Sequence, residues 1–195
     1  MNEEKLKIIK EKALEEHIPI IMDDTLEVID TYLKEMKPKR ILEIGTAVGY
    51  SAICFSKYLA EDGMIDTIER DEERIAEAKE NIKEMKLDSK INIYEGDAVE
   101  ILPTLNNKYD AIFIDAAKGK YTFFLEQALR MLDEKGIIFA DNILYKGYVL
   151  SDYNKHKQRT AVRNLREYIK QTTENIELET QILEVGDGLA ITQKK

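Results

Sequence analysis

Apolar residues along this chain fall into two alternating rhythms. The short runs Ile41–Ile44, Met64–Glu69, Ile91–Tyr94, Tyr109–Ile114 and Gly136–Ala140 are dense in Ile, Phe and other β-formers, as strands covered on both faces are. Between them apolar residues recur three or four apart, the period of a helix with one buried face. Tyr50–Ala60 is such a helix, stopped by Asp62-Gly63. Asp71 caps a longer one to about Leu87, with Ile75, Ala78, Ile82 and Met85 on one side. Asp97–Leu102 makes a short helix ended near Pro103, and Tyr121–Leu132 a further helix stopped by Lys135-Gly136. Before the first strand, Glu3–Glu16 carries Leu6, Ile9 and Leu14 on one side, and His17-Ile18-Pro19 breaks it. Asp23 or Asp24 then caps a second helix to about Lys34, with Leu26, Ile29 and Leu33 at helical spacing. At the other end Lys155–Thr173 reads as mostly helical, and Ile176–Glu184 and Leu189–Gln193 as strands around the tight turn Gly186-Asp187-Gly188.

Five strand–helix alternations predict an α/β fold. Its sheet is doubly wound, Rossmann-like and mostly parallel, with a C-terminal antiparallel hairpin and two N-terminal helices. The helices ahead of the sheet could form a lid, a dimer surface or plain packing. No repeat or linker interrupts the chain, so residues 1–195 are expected to form one domain with a sizeable core.

Composition narrows the class. At 44% hydrophobic and 34% charged residues the chain suits a globular protein. No apolar run reaches membrane-span length, and Met1–Lys12 lacks the apolar stretch of a signal peptide. Cys54, the one cysteine, sits between Ile53 and Phe55, so core packing is expected and no disulfide or cysteine-based metal site. A reducing cytoplasm is the simplest location. The net charge of −9 argues against a generally basic nucleic-acid binder.

The chemistry concentrates where the strands end, because ligands of open α/β sheets bind outside the carboxyl ends of the strands. After the first strand comes Gly45-Thr46-Ala47-Val48-Gly49, a turn into a helix N-terminus that can seat a nucleotide-like ligand, though it is not a strict GxGxxG. Glu43 is a carboxylate in an apolar strand and is expected to face the ligand crevice. Glu69 ends the second strand, where an acid can accept from ribose hydroxyls. Asp97 follows the third and either takes an adenine amine or caps the next helix. Asp115, Asp141 and Asn142 end the fourth and fifth. Two carboxylates and an amide oxygen suit Mg²⁺ and are poor for Zn²⁺. Lys118 stands three residues past Asp115. A positive ion nearby disfavours a protonated lysine, which can then remove a proton from a metal-acidified hydroxyl.

These segments, Leu42–Ser51, Ile68-Glu69, Gly96-Asp97-Ala98, Phe113–Lys118 and Ala140-Asp141-Asn142, resemble the cation-dependent class I O-methyltransferases, which include the catechol and caffeoyl-CoA enzymes. The resemblance implies an S-adenosylmethionine (SAM) site at Glu43, Gly45, Ser51, Glu69, Asp97 and Ala98, bordered by Asp115 and by a residue near Met22. It implies Mg²⁺ on Asp115, Asp141 and Asn142, Lys118 as general base, and a homodimer whose contact is the N-terminal helices. Ala47-Val48 departs from the usual Gly-Thr of bacterial relatives.

Residues 146–170 hold seven basic side chains against two acidic ones, a local net charge of +5 that leaves −14 for the rest. Arg159, Arg163, Arg166 and Lys170 share a helical face that can contact phosphates or simply face solvent, with Lys146 upstream. Tyr145–Val149, His156–Arg159 and Val162–Tyr168 are similar to the bacterial branch that methylates 5-hydroxyuridine at the tRNA wobble base. Tyr145, Tyr148 or Tyr153 could stack on that base. The expected partner is thus a tRNA anticodon loop, with Lys146, Arg159, Arg163 and Arg166 as contacts. A small catechol or phenol is the alternative acceptor, and a non-catalytic nucleotide-binding regulator the alternative class. A nicotinamide dehydrogenase would leave Asp115, Asp141 and Asn142 without an account.

Overall fold

A computed structural model describes residues 2–152 and 158–195. Seven strands form one sheet in the order β3-β2-β1-β4-β5-β7-β6. The chain divides into two compact units, Met1–Leu105 and Asn106–Lys195.

The first unit holds α1 (Glu3–Glu15), α2 (Asp23–Met36), β1 (Arg40–Ile44), α3 (Tyr50–Phe55), β2 (Met64–Glu69), α4 (Glu72–Glu84), β3 (Ile91–Glu95) and α5 (Ala98–Ile101). Its three strands pair in parallel, Leu42 beside Asp66 and Asp66 beside Asn92. Leu42, Ile44, Ile53, Phe55, Ile65 and Ala78 are its buried centre. Asp71 caps α4 as expected, accepting from the Glu73 and Arg74 amides at 3.1 Å each. Two local expectations change. Leu14 is 54% exposed and Ala13 takes the inward position, because the helix turns 100° per residue and Leu6 and Ile9 fix which side faces in. Neither Asp23 nor Asp24 caps α2. Its cap is Met22, and Asp24 accepts from the Thr25 amide within the first turn. The helix after β1 is α for six residues and 3₁₀ from Ser56 to Tyr58, shorter than the apolar pattern suggested.

The second unit holds β4 (Tyr109–Ile114), α6 (Tyr121–Met131), β5 (Leu132–Ala140), α7 (Arg159–Thr173), β6 (Leu178–Leu183) and β7 (Leu189–Lys194). β4 and β5 are parallel; β7 runs antiparallel to both β5 and β6, the expected hairpin. Tyr109, Ile112, Phe113, Phe124, Phe139 and Leu165 fill its core. β5 begins at Leu132, not Gly136, because Leu132 pairs with Tyr109 before the register shifts to Ala111 and Ile137. Gly136 serves that irregularity: a Cβ there would meet Leu132 Cδ1 at 2.7 Å and Tyr109 O at 3.0 Å. β6 starts late, since Ile176 is 84% exposed. Tyr153, Lys155, His156 and Lys157, with the expected start of the last helix, lie outside the described residues.

Candidate active site

In the first unit the turn after β1 is a closed polar network. Gly45 (φ 105°) and Gly49 (φ 81°) take backbone conformations that suit glycine, and Ala47 takes φ 45° without that licence. The Gly45 and Thr46 amides both donate to Ile68 O, at 3.0 and 3.2 Å, which ties the turn to β2. Glu43 is fully buried. Its Oε1 accepts from Ser51 Oγ at 2.5 Å and its Oε2 from Thr67 Oγ1 at 2.6 Å, and Thr67 in turn meets Thr46 Oγ1 at 2.6 Å. The carboxylate expected to face a crevice is therefore the internal brace of the turn, joining strand, turn and helix start. Asn81 of α4 adds a second brace, donating to Val48 O at 2.9 Å.

Glu69 ends β2 half-buried. One oxygen accepts from the Ala47 amide at 2.9 Å, the other from the Arg70 and Asp71 amides at 2.8 and 3.0 Å. These donors fix the carboxylate at the strand end, where the remaining lone pairs can receive hydroxyls. Asp97 caps α5 with one oxygen, accepting from the Val99 amide at 2.9 Å, and meets Arg70 Nη1 at 3.4 Å with the other. Ala98 opens that helix, and Met22 is half exposed at the head of α2.

The second unit gathers Asp115, Lys118, Asp141 and Asn142 at the ends of β4 and β5. Lys118 Nζ donates to Asn142 Oδ1 at 2.7 Å and stands 3.6 Å from Asp115 Oδ1. Asn142, at φ 56°, donates its amide to Asp141 Oδ1 at 2.7 Å. Burial pushes the Asp141 carboxyl up to about 7, and the Asp115 charge adds to it; the Asn142 amide and Lys118 pull the other way. Burial likewise raises Asp115 against the pull of Lys118. Two desolvated carboxylates, one raised further by the other's charge, have too little positive charge around them. Among the described residues the cation in reach is the Lys118 ammonium, which already meets Asn142 and Asp115. These hard oxygens fit a small divalent ion. Among the described residues no three His, Cys, Asp or Glu side chains gather, and here the third oxygen comes from an amide.

Sequence reasoning passed over Tyr121. Its hydroxyl, wholly buried, donates to Asp141 O at 2.7 Å and Ile114 O at 3.3 Å, so one side chain binds the two strand ends that carry the carboxylates. A tyrosine at a helix start reads as core; only the carbonyls it meets reveal the role. Thr67 and Asn81 were hidden for the same reason.

Of the basic residues, Lys146, Arg159, Arg163, Arg166 and Lys170 are exposed. Arg166 is not a spare cation. Its Nε donates to Val149 O at 3.0 Å and its Nη2 to Tyr148 O at 3.1 Å and to Ser151 O. It latches the segment after Asn142 to α7, a role that helical spacing cannot show. Arg159, Val162, Arg163 and Arg166 line an open cavity of about 660 Å³ with Val149, Ser151 and Asp152. The Tyr145 and Tyr148 rings meet edge to face at 5.8 Å.

A mostly parallel α/β sheet with a hydroxyl-braced glycine turn and acidic strand ends defines the Rossmann-like methyltransferase class. The chain belongs to the O-methyltransferase family, whose profile matches residues 2–195. It is thus an enzyme of the SAM-dependent O-methyltransferase kind. It is 36% identical over 162 residues to the catechol O-methyltransferase of Niastella koreensis, covering 78% of this chain and 72% of that one. A Staphylococcus aureus structure provisionally assigned as a caffeoyl-CoA O-methyltransferase superposes with TM-score 0.90 at 34% identity, covering 97% and 92% of the two chains. The Bacillus cereus O-methyltransferase in complex with SAH shares the fold, with TM-score 0.89 at 23% identity over 98% and 91%. Among the described residues no helix is long and apolar enough to cross a membrane.

Proposed function

We propose that this enzyme transfers the SAM methyl group to the 5-hydroxyl of 5-hydroxyuridine at the tRNA wobble position, with Mg²⁺, to give 5-methoxyuridine. The observation that carries the tRNA reading is the exposed set Lys146, Arg159 and Arg163, on a +5 segment of a −9 chain, directly after Asp141-Asn142. Such a stripe suits a phosphate backbone. The wobble base lies in a single-stranded loop, reachable without opening a duplex, and its 5-hydroxyl and C4 carbonyl are adjacent oxygens as in a catechol.

Asp115, Asp141 and Asn142 would hold the ion. Glu69 and Asp97 would receive the hydroxyl and amine groups of SAM, on a turn that Glu43 and Ser51 brace beside Gly45, with Ala98 and Met22 nearby. Bound Mg²⁺ acidifies a chelated hydroxyl, and SAM supplies an electrophilic methyl. Lys118 takes the hydroxyl proton at Nζ, oriented by Asn142 Oδ1. The rest of the acceleration comes from holding the reacting groups in place. We infer that both compact units work as one methyltransferase domain. The family resemblance supports a homodimer, and the composition supports a cytoplasmic enzyme.

The names of the relatives favour a second reading in which the acceptor is a small catechol or phenol. Labelled SAM, offered with Mg²⁺ or EDTA to tRNA bearing 5-hydroxyuridine and to a catechol panel, separates the two. Metal-dependent label recovered as 5-methoxyuridine is expected. Label in catechols alone would overturn the tRNA assignment and keep the site.

A further inference from the structure

Asn142 opens a segment in an uncommon backbone state. Asn142, Tyr145 and Lys146 have φ of 56°, 43° and 56°, and Gly147 follows at 72°. Three residues with a Cβ in the left-handed region within five positions do not hold themselves there, because that region is unfavourable for all but glycine. Within the segment the Tyr145 amide donates to Asn142 O at 3.2 Å, the Tyr148 amide to Tyr145 O at 3.0 Å and the Val149 amide to Leu144 O at 3.3 Å.

Beyond the Arg166 latch, the turn between β6 and β7 supports the first half of the segment. Gly188 O accepts from the Ile143 amide at 3.0 Å and Asp187 O from the Leu144 amide at 2.9 Å. Asp187 Oδ1 accepts from the Lys146 amide at 2.5 Å. Asp187 thus grips the segment twice, once with its main chain and once with its side chain. Gly188, at φ 90°, allows the approach: a Cβ there would lie 2.9 Å from Leu144 Cβ.

We propose that Asp187 is a positioning residue: its carboxylate clamps the Lys146 amide and so sets the backbone that presents Asn142 and Lys146. The reactive consequence rests on the function proposed above; the clamp itself does not.

The test compares Asp187→Ala, which removes the acceptor, with Asp187→Asn, which keeps an oxygen in reach. Amide exchange of Ile143, Leu144 and Lys146 in the full chain should speed up about tenfold in D187A, as loss of one charge-assisted bond implies, with α4 unchanged. D187N should stay near wild type. The Kd for Mn²⁺ alone, read by its EPR signal, should weaken about tenfold in D187A and recover in D187N, while SAM affinity holds. Unchanged exchange in D187A would overturn the clamp. Faster exchange with unmoved Mn²⁺ affinity would overturn its positioning role. If wild-type protein binds no Mn²⁺, the metal reading and the Asn142 role fall together, and the exchange data still judge the clamp. Should D187A not fold, Asp187→Leu, which also lacks the acceptor, takes its place: faster exchange of these amides supports the clamp, and wild-type exchange overturns it.

Discussion

The two units treat their acidic strand ends in opposite ways. In the first, every site carboxylate is answered by donors: Glu43 by two hydroxyls, Glu69 by three amides, Asp97 by an amide and Arg70. In the second, burial pushes Asp115 and Asp141 towards their neutral forms, the Asp115 charge adds to the push on Asp141, and Lys118 is the counter-charge. The same residue type thus builds a finished cradle in one place and a charge deficit in another. A finished cradle offers its remaining lone pairs to hydroxyl and amine groups; a deficit asks for a cation.

The sharpest way to break that comparison is Asp141→Ala. If the second unit's deficit holds the metal, methyl transfer should fall by more than about 100-fold, beyond what outer-shell losses cost. SAM binding by calorimetry should change little. Lys118→Ala comes next: transfer from labelled SAM should fall about 100-fold, with part of the rate restored at higher pH as solvent hydroxide replaces the amine. Glu43→Ala tests the other side. It leaves the Ser51 and Thr67 hydroxyls buried without their acceptor, so stability should fall by about 2–3 kcal/mol in a urea melt and SAM affinity with it. Mn²⁺ affinity, once referred to the folded fraction, should not move; if it does, the two halves are not independent. Tyr121→Phe should cost about 1 kcal/mol of stability and loosen both strand ends at once.

The smallest effect concerns Cys54, buried in the first unit, where burial pushes the thiol up to about 12. A neutral thiol is a poor nucleophile, so a disulfide reagent at pH 8 should leave folded protein untouched and label one site in denaturant. The raised value carries a linkage sign. The unfolded thiol ionises near 9 while the folded one stays neutral, so stability present below pH 9 is lost as pH climbs towards 12. A C54A variant should lose less over that range.

The sequence showed some of this plainly and hid the rest. Strand runs, helix stops and the Asp71 and Asp97 caps were legible because each is a local rule of spacing or capping. The acidic strand ends were legible because each follows directly on an apolar strand run. Glu43 was legible as an anomaly but not as a brace, since its partners Ser51 and Thr67 lie 8 and 24 residues away. Arg166 was legible as an exposed stripe position but not as a latch, for the same reason. Its spacing matched a surface stripe, while its three carbonyl partners lie 15 to 18 residues back, on the preceding segment. Periodicity reports which face a residue is on and says nothing of what a long side chain reaches.

The clamp at Asp187 sits 41 positions beyond the amide it holds. A ribosome therefore delivers Asp115, Lys118, Asp141 and Asn142 well before the turn that fixes the segment after them. Closing a contact that distant is slower than forming local ones. A nascent chain threaded out only as far as α7 would carry every reactive group of the second unit with its Asn142 segment unclamped. Competence would then arrive as a late event in synthesis, switched on when the β6–β7 hairpin emerges.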